Sequence, residues 1–244
     1  MRPKRFLKRG RRPGTRTLVV CAGDSITHAL MSADYLRMLE QALGDQGYEF
    51  VNAGWNGDLA YNLGARLDDI IDCNPDVVTI LIGTNDAAAH IGDEWMRGYQ
   101  TNQKPPEPLT LEYYRRVLTD IVRRIQTQTD AAIALIELPL LTEDPASQVN
   151  QLVDTYNEVV HEVADEADLP VLPLRKAMVD ALPSGHVAPA FDGTRRLIGS
   201  AFGRHLLPRQ AYLKISARYG FHLLTDHVHL NDRAERLIAD EITE

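Results

Sequence analysis

The sequence predicts an α/β protein, a three-layer α/β/α sandwich around a mostly parallel sheet of five strands. Three features carry that expectation. Short apolar runs alternate with stretches of helical periodicity from residue 18 to the C-terminus, and such a βαβα rhythm folds with helices covering both faces of a parallel sheet. The strongest run, Asp76–Ile82, is apolar almost without a break, as a strand buried on both faces has to be. A chain of 244 residues also suffices for one large domain with a substantial core.

Leu18–Ala22 is the first strand and ends at Gly23, where the chain can turn. Residues 33–44 place Leu36, Leu39 and Leu43 on one helical face, stopped by Gly44. Glu49–Asn52 is the second strand, 64–71 a second helix, and Asp76–Ile82 the third strand. Leu109–Thr127 is a helix, Ala131–Leu138 the fourth strand, 148–167 a helix and Val171–Leu174 the fifth strand. A helix over 231–242 closes the chain, with Asn231 as its N-cap. Right-handed crossovers bring the C-terminal ends of all the strands to one edge, where such sheets bind ligands.

Two excursions interrupt this rhythm. Residues 89–108 are polar and hold Pro105, Pro106 and Pro108; residues 183–224 follow no clear period. An irregular stretch that long either serves function, here as a lid, or contains unrecognised helices. One domain is therefore expected over 17–244.

The net charge of −8 conceals an asymmetry. Residues 1–16 hold eight Arg and Lys and no acid, which leaves 18 basic against 34 acidic side chains in the remainder. An acidic body cannot neutralise phosphates, which excludes nucleic acid as its partner. The basic head is expected to be a disordered tail in weak contact with an anionic surface, folding back onto the acidic body being the competing arrangement. It lacks the apolar core of a secretory signal, and no run reaches the roughly 18–20 apolar residues of a membrane span, so the cytoplasm is the expected compartment. Cys21 and Cys73 make no disulfide framework.

Three strands end in residues that can do chemistry. Gly23-Asp24-Ser25 follows the first, placing a hydroxyl nucleophile at the N-terminus of the next helix, where developing negative charge is favoured. Asn52-Ala53-Gly54-Trp55-Asn56-Gly57-Asp58 follows the second, and the Gly57 N–H is open to a substrate oxygen. Gly83-Thr84-Asn85-Asp86 follows the third, and the Asn85 amide can donate to an oxyanion. Far downstream, Asp226 and His229 offer an orienting acid and a base. Each motif alone has a plainer use, as a helix cap, a turn or an Asx turn. Together they supply every group that acyl transfer needs.

In these blocks the chain resembles the SGNH hydrolases, also called the GDSL esterase/lipase family. Gly23-Asp24-Ser25, Asn52…Gly54…Gly57-Asp58, Gly83-Thr84-Asn85-Asp86 and Asp226…His229 match in the family's order, from about residue 17 to the end. The resemblance implies a flavodoxin-like sandwich and a carboxylic ester hydrolase without cofactor or metal. It implies Ser25 as nucleophile, His229 as base and Asp226 as its partner, with the Ser25 and Gly57 N–H groups and the Asn85 amide as oxyanion hole. The substrate would be a small ester: an acyl ester, a lysophospholipid or an acetylated sugar. A catalytically silent carbohydrate- or partner-binding module on the same fold is the competing reading.

One position departs from the family. His227 stands where glycine is common, and is expected at the rim of the site or in solvent. A metal bound by His227 and His229, with Asp226 or His222, lacks the usual three-ligand geometry and is disfavoured. His28 receives no role. Trp95, Tyr99, Phe191, Phe202 and Tyr212 are expected mainly as core of the excursions, with an acyl-chain surface as their other use.

Overall fold

A computed structural model describes residues 1–206 and 210–243. Five strands, β1 (Thr17–Gly23), β2 (Tyr48–Gly54), β3 (Val77–Leu81), β4 (Ala132–Ile136) and β5 (Val171–Leu172), pair in parallel in the order β2-β1-β3-β4-β5. Each expected strand is present, and β1 and β3 are apolar apart from Thr17 and Thr79 because helices cover both of their faces.

One layer contains α3 (Tyr35–Leu43), α10 (Leu174–Ala181) and α13 (Asp232–Thr243); the other contains α4 (Ala60–Ala65), α8 (Leu111–Gln128) and α9 (Gln148–Ala167). The caps are local in sequence. Asp34 accepts from the Arg37 N–H, Thr110 from Tyr113, Ser147 from Asn150 and Asn231 from Arg233. Among the described residues no helix is long and apolar enough to cross a membrane.

Several expectations need correction. The helix expected over 64–71 is two short ones, α4 and α5 (Asp68–Ile71), because the chain leaves helical geometry at Arg66. The fifth strand ends at Leu172, and Leu174 instead begins α10. The excursion 89–108 contains α7 (Asp93–Gln103), which buries only Trp95 and Tyr99 and so carries little periodic signal. Residues 183–224 contain α11 (Arg196–Leu206) and α12 (Tyr212–Tyr219), which bury Ala201 and the Ile215–Ser216 pair.

The basic head is the largest correction. Residues expected as a disordered tail form α1 (Pro3–Arg9), with Pro3 at its first turn, Gly10 closing it, and Phe6 buried in the common core. Its cations meet the body's acids: Arg9 pairs with buried Glu49, Arg12 lies 2.5 Å from Glu40, and Arg11 2.7 Å from Asp76. The adjacent pair Phe6 and Leu7 among eight cations sets no period, whereas the complementary charge comes from residues distant in sequence. Phe6→Ala is expected to destabilise the fold by about 3 kcal/mol in urea unfolding; an unchanged midpoint would mean that the head does not pack.

Candidate functional site

The ends of β1, β2 and β3 lie side by side, and Gly23 pairs in register with both Gly54 and Leu81. Glycine is required here by space. A Cβ on Gly23 would stand 2.5 Å from the Leu81 carbonyl, and one on Gly54 2.4 Å from the His28 N–H nitrogen. Only at this closeness can α2 (Ser25–His28) leave β1 tucked against β2. Asp24 caps it by accepting the Ile26 N–H at 3.0 Å, which sets Ser25 as its first residue.

The C-terminal segment reaches the same edge through hydrogen bonds from three directions. Buried Glu143 accepts the N–H groups of His222, Leu223 and Leu224 at 2.5–2.9 Å, and His186 Nε2 lies 2.6 Å from its Oε2. Such charge-assisted bonds fix an irregular strand as no apolar contact can. The Thr142 N–H donates to the His227 carbonyl, and Leu230 pairs with Leu224 and with Ser32 Oγ. The result is a tight turn over 225–229, closed by Thr225 N–H to the His229 carbonyl at 2.8 Å.

Within that turn Asp226 Oδ1 accepts the Val228 and His229 N–H groups, each at 2.8 Å, and Oδ2 lies 2.9 Å from His229 Nδ1. A carboxylate only accepts, so His229 carries its proton on Nδ1 and turns the Nε2 lone pair to Ser25 Oγ, 3.2 Å away. Burial raises the Asp226 pKa, but the His229 imidazole and these hydrogen bonds outweigh it and hold the carboxyl below its ordinary value. Its contribution to stability is therefore present above the unfolded value near 3.8 and lost as pH falls through the folded one. Ser25, Asp226 and His229 are brought together as expected.

Asn85 lies in α6 (Thr84–Ala88), directly after β3. Its Nδ2 donates to the Asp58 carbonyl at 2.8 Å and its Oδ1 accepts from the Tyr99 hydroxyl at 2.6 Å. Two bonds fix the amide plane and leave its second N–H available. Tyr99 was not assigned to the site from the sequence, because its partner lies on another element across the excursion. Gly57 follows β2 at φ 78°.

His227 is not at a solvent rim. It is buried between Phe191 and Phe221, with ring centroids at 4.7 and 4.9 Å, and burial lowers its pKa. Phe191 also meets Trp95 edge-on, Trp95 Nε1 donates to the Gly193 carbonyl, and Arg195 lies over Trp95 and Tyr99. The two excursions thus pack on one another and on the 225–229 turn. Among the described residues no three His, Cys, Asp or Glu side chains are grouped to hold a metal ion. His28 accepts the Asn56 N–H on Nδ1, and burial and Arg2 press its pKa down to about 4.

A model of the GDSL-like Lipase/Acylhydrolase family matches residues 21–237. An acetylxylan esterase of Geobacillus stearothermophilus is 25% identical over 179 residues, 72% of this chain and 76% of that enzyme. The solved structure of Axe2, an acetylxylan esterase from Geobacillus stearothermophilus, superposes with a TM-score of 0.65 at 20% identity, covering 94% of this chain and 93% of that one. The acetyl xylan esterase AlAXEase gives 0.63 at 21% identity, covering 93% and 98%. Catalytic mutants of the Geobacillus enzyme replace a serine, an aspartate and a histidine.

Two buried carboxyls behind the site behave unlike Asp226. Burial pushes Asp24 and Asp86 up to about 7, despite backbone N–H donors from Ile26 and Ala60. The folded chain then holds protons that the unfolded chain releases near pH 4. The stability they contribute is fully present below the unfolded value and is lost as pH rises to about 7. Asp86→Asn should flatten the decline of the urea midpoint between pH 4 and 7; an unaltered slope would refute it.

Proposed function

Because this chain belongs to the GDSL-like lipase/acylhydrolase family and is an ester hydrolase, we propose that it cleaves short acyl esters, acetyl esters foremost, through an acyl-enzyme on Ser25. One observation carries the reading: a serine hydroxyl, an imidazole nitrogen and a buried carboxylate joined at 3.2 and 2.9 Å. The acetylxylan esterase relatives support the acyl group, and so does access. Ser25 and His229 are each 4% exposed, so a small acyl group fits where a long chain would need the excursions to part.

In this mechanism His229 Nε2 takes the Ser25 proton as Oγ attacks the ester carbonyl, and Asp226 stabilises the imidazolium that forms. The oxyanion is held by the Ser25 and Gly57 N–H groups and by the Asn85 amide. Collapse breaks the C–O bond, and the departing alkoxide takes the proton from His229. Water, deprotonated by the same nitrogen, then attacks the acyl-enzyme and releases the acid and Ser25.

Tyr99 is a positioning residue in this scheme. It touches Asn85 rather than substrate, and turns the amide so that its free N–H meets the oxyanion. The buried phenol has an ionisation raised by burial to beyond the working range of the enzyme, so it stays a donor.

Ser25→Ala and His229→Ala should each lower kcat on p-nitrophenyl acetate by about a thousandfold or more, without altering the circular dichroism spectrum; full activity in folded Ser25→Ala would sink the assignment. Asn85→Ala should lower kcat about 10²–10³-fold. Tyr99→Phe should lower kcat about tenfold with KM nearly constant, and a change confined to KM would place the tyrosine in ground-state binding instead.

A further inference from the structure

Trp55 is the only aromatic among the large apolar side chains that the described residues leave exposed, at 58%. A tryptophan in that position loses hydrophobic burial, and nothing in the mechanism above uses its ring. It is nevertheless held firmly. Its backbone N–H donates to the Gly23 carbonyl at 3.1 Å, two residues before Ser25. Its ring stacks on His28 with centroids 5.7 Å apart and planes 29° from parallel, while His28 also accepts from the next residue, Asn56. His28 lies on the same short helix as Ser25, one turn further on. The indole is thus a solvent-facing plate stacked on the short helix that begins with the expected nucleophile.

A cleft of about 460 Å³ opens along this plate, within the usual range for a small-molecule site. Asn62, Arg66, Asp69 and Gln103 line it, together with Arg2 and Lys4 of the basic head. Its inner end abuts the oxyanion loop, because Gln103 Nε2 lies 2.8 Å from the position that a Cβ on Gly57 would take. One flat apolar face surrounded by amides and charges matches a pyranose, which presents C–H groups on its faces and hydroxyls around its rim. A fatty acyl chain would leave those polar groups without partners, at a cost in desolvation.

Resting on the esterase reading above, we propose that Trp55 and its cleft form a sugar subsite that seats the pyranose ring of an acetylated saccharide while its acetyl group reaches Ser25. The start of the basic head is tied to both supports of the plate: Arg2, the residue that precedes α1, donates to the Asn52 side chain at 2.6 Å, to the Gly54 carbonyl and to the His28 carbonyl at 3.2 Å.

Isothermal calorimetry of Ser25→Ala protein with acetylated xylo-oligosaccharide tests binding apart from turnover. Adding Trp55→Ala should weaken the affinity about tenfold, Trp55→Phe should recover most of it, and Gln103→Ala should weaken it in the same direction. In otherwise wild-type enzyme, Trp55→Ala should lower the ratio of kcat/KM for the acetylated oligosaccharide to that for p-nitrophenyl acetate about tenfold. An affinity within twofold of the parent in the Trp55→Ala protein, an unchanged ratio, or absence of saturable binding by the parent would each overturn the subsite. Activity surviving in Ser25→Ala would instead overturn the acyl-enzyme reading, leaving the calorimetric comparison to judge Trp55 by itself.

Discussion

Parallel pairing across all five strands directs every strand to the same edge of the sheet, and the candidate site depends on that constraint more than on any single contact. Ser25, Gly57 and Asn85 are far apart in sequence, yet each lies in the segment that follows one of three adjacent strands. The backbone ladder sets their spacing before any side chain acts. Gly23 and Gly54 sharpen it, since the approach of α2 to the ends of β1 and β2 leaves no room for a Cβ.

The fourth group comes to this edge by different means. No strand carries Asp226 and His229 there; an irregular segment does, and irregular backbone needs other partners for its polar groups. Glu143 supplies them with buried carboxyl oxygens that accept three consecutive N–H groups, and the turn over 225–229 closes on itself. Position within the protein also decides charge. Asp226, given two N–H donors and an imidazole, stays ionised, whereas Asp24 and Asp86, buried with fewer donors, hold protons to about pH 7. The same side chain thus serves as an anion in front of the site and as a near-neutral polar group behind it.

Segments outside the βα rhythm assemble the surroundings of this edge. The two excursions meet through Trp95, Phe191 and Arg195, and through Tyr99 they touch the Asn85 amide itself. The basic head covers β2 and grips its C-terminal end through Arg2. Opposite charges explain that docking, since the body carries the excess of acids that the head lacks. His227 owes its burial to the same assembly, held between Phe191 and Phe221 of the second excursion.

Local pattern determined the sandwich, the five strands and the residue types able to carry acyl transfer, because apolar periodicity and strand-end motifs are properties of contiguous residues. Asn231 as a cap and Ser25, Asn85, Asp226 and His229 as candidates were legible for that reason. Only the tertiary structure decided that residues 3–9 are helical, that Tyr99 orients Asn85, that His227 is core and that Trp55 faces a polar cleft. Each of these depends on a partner remote in sequence: acids for Arg9, Arg11 and Arg12, an amide for a phenol, two rings for an imidazole. Contacts of that kind leave no period in the chain, and they arise only once the parallel sheet has brought the loops together.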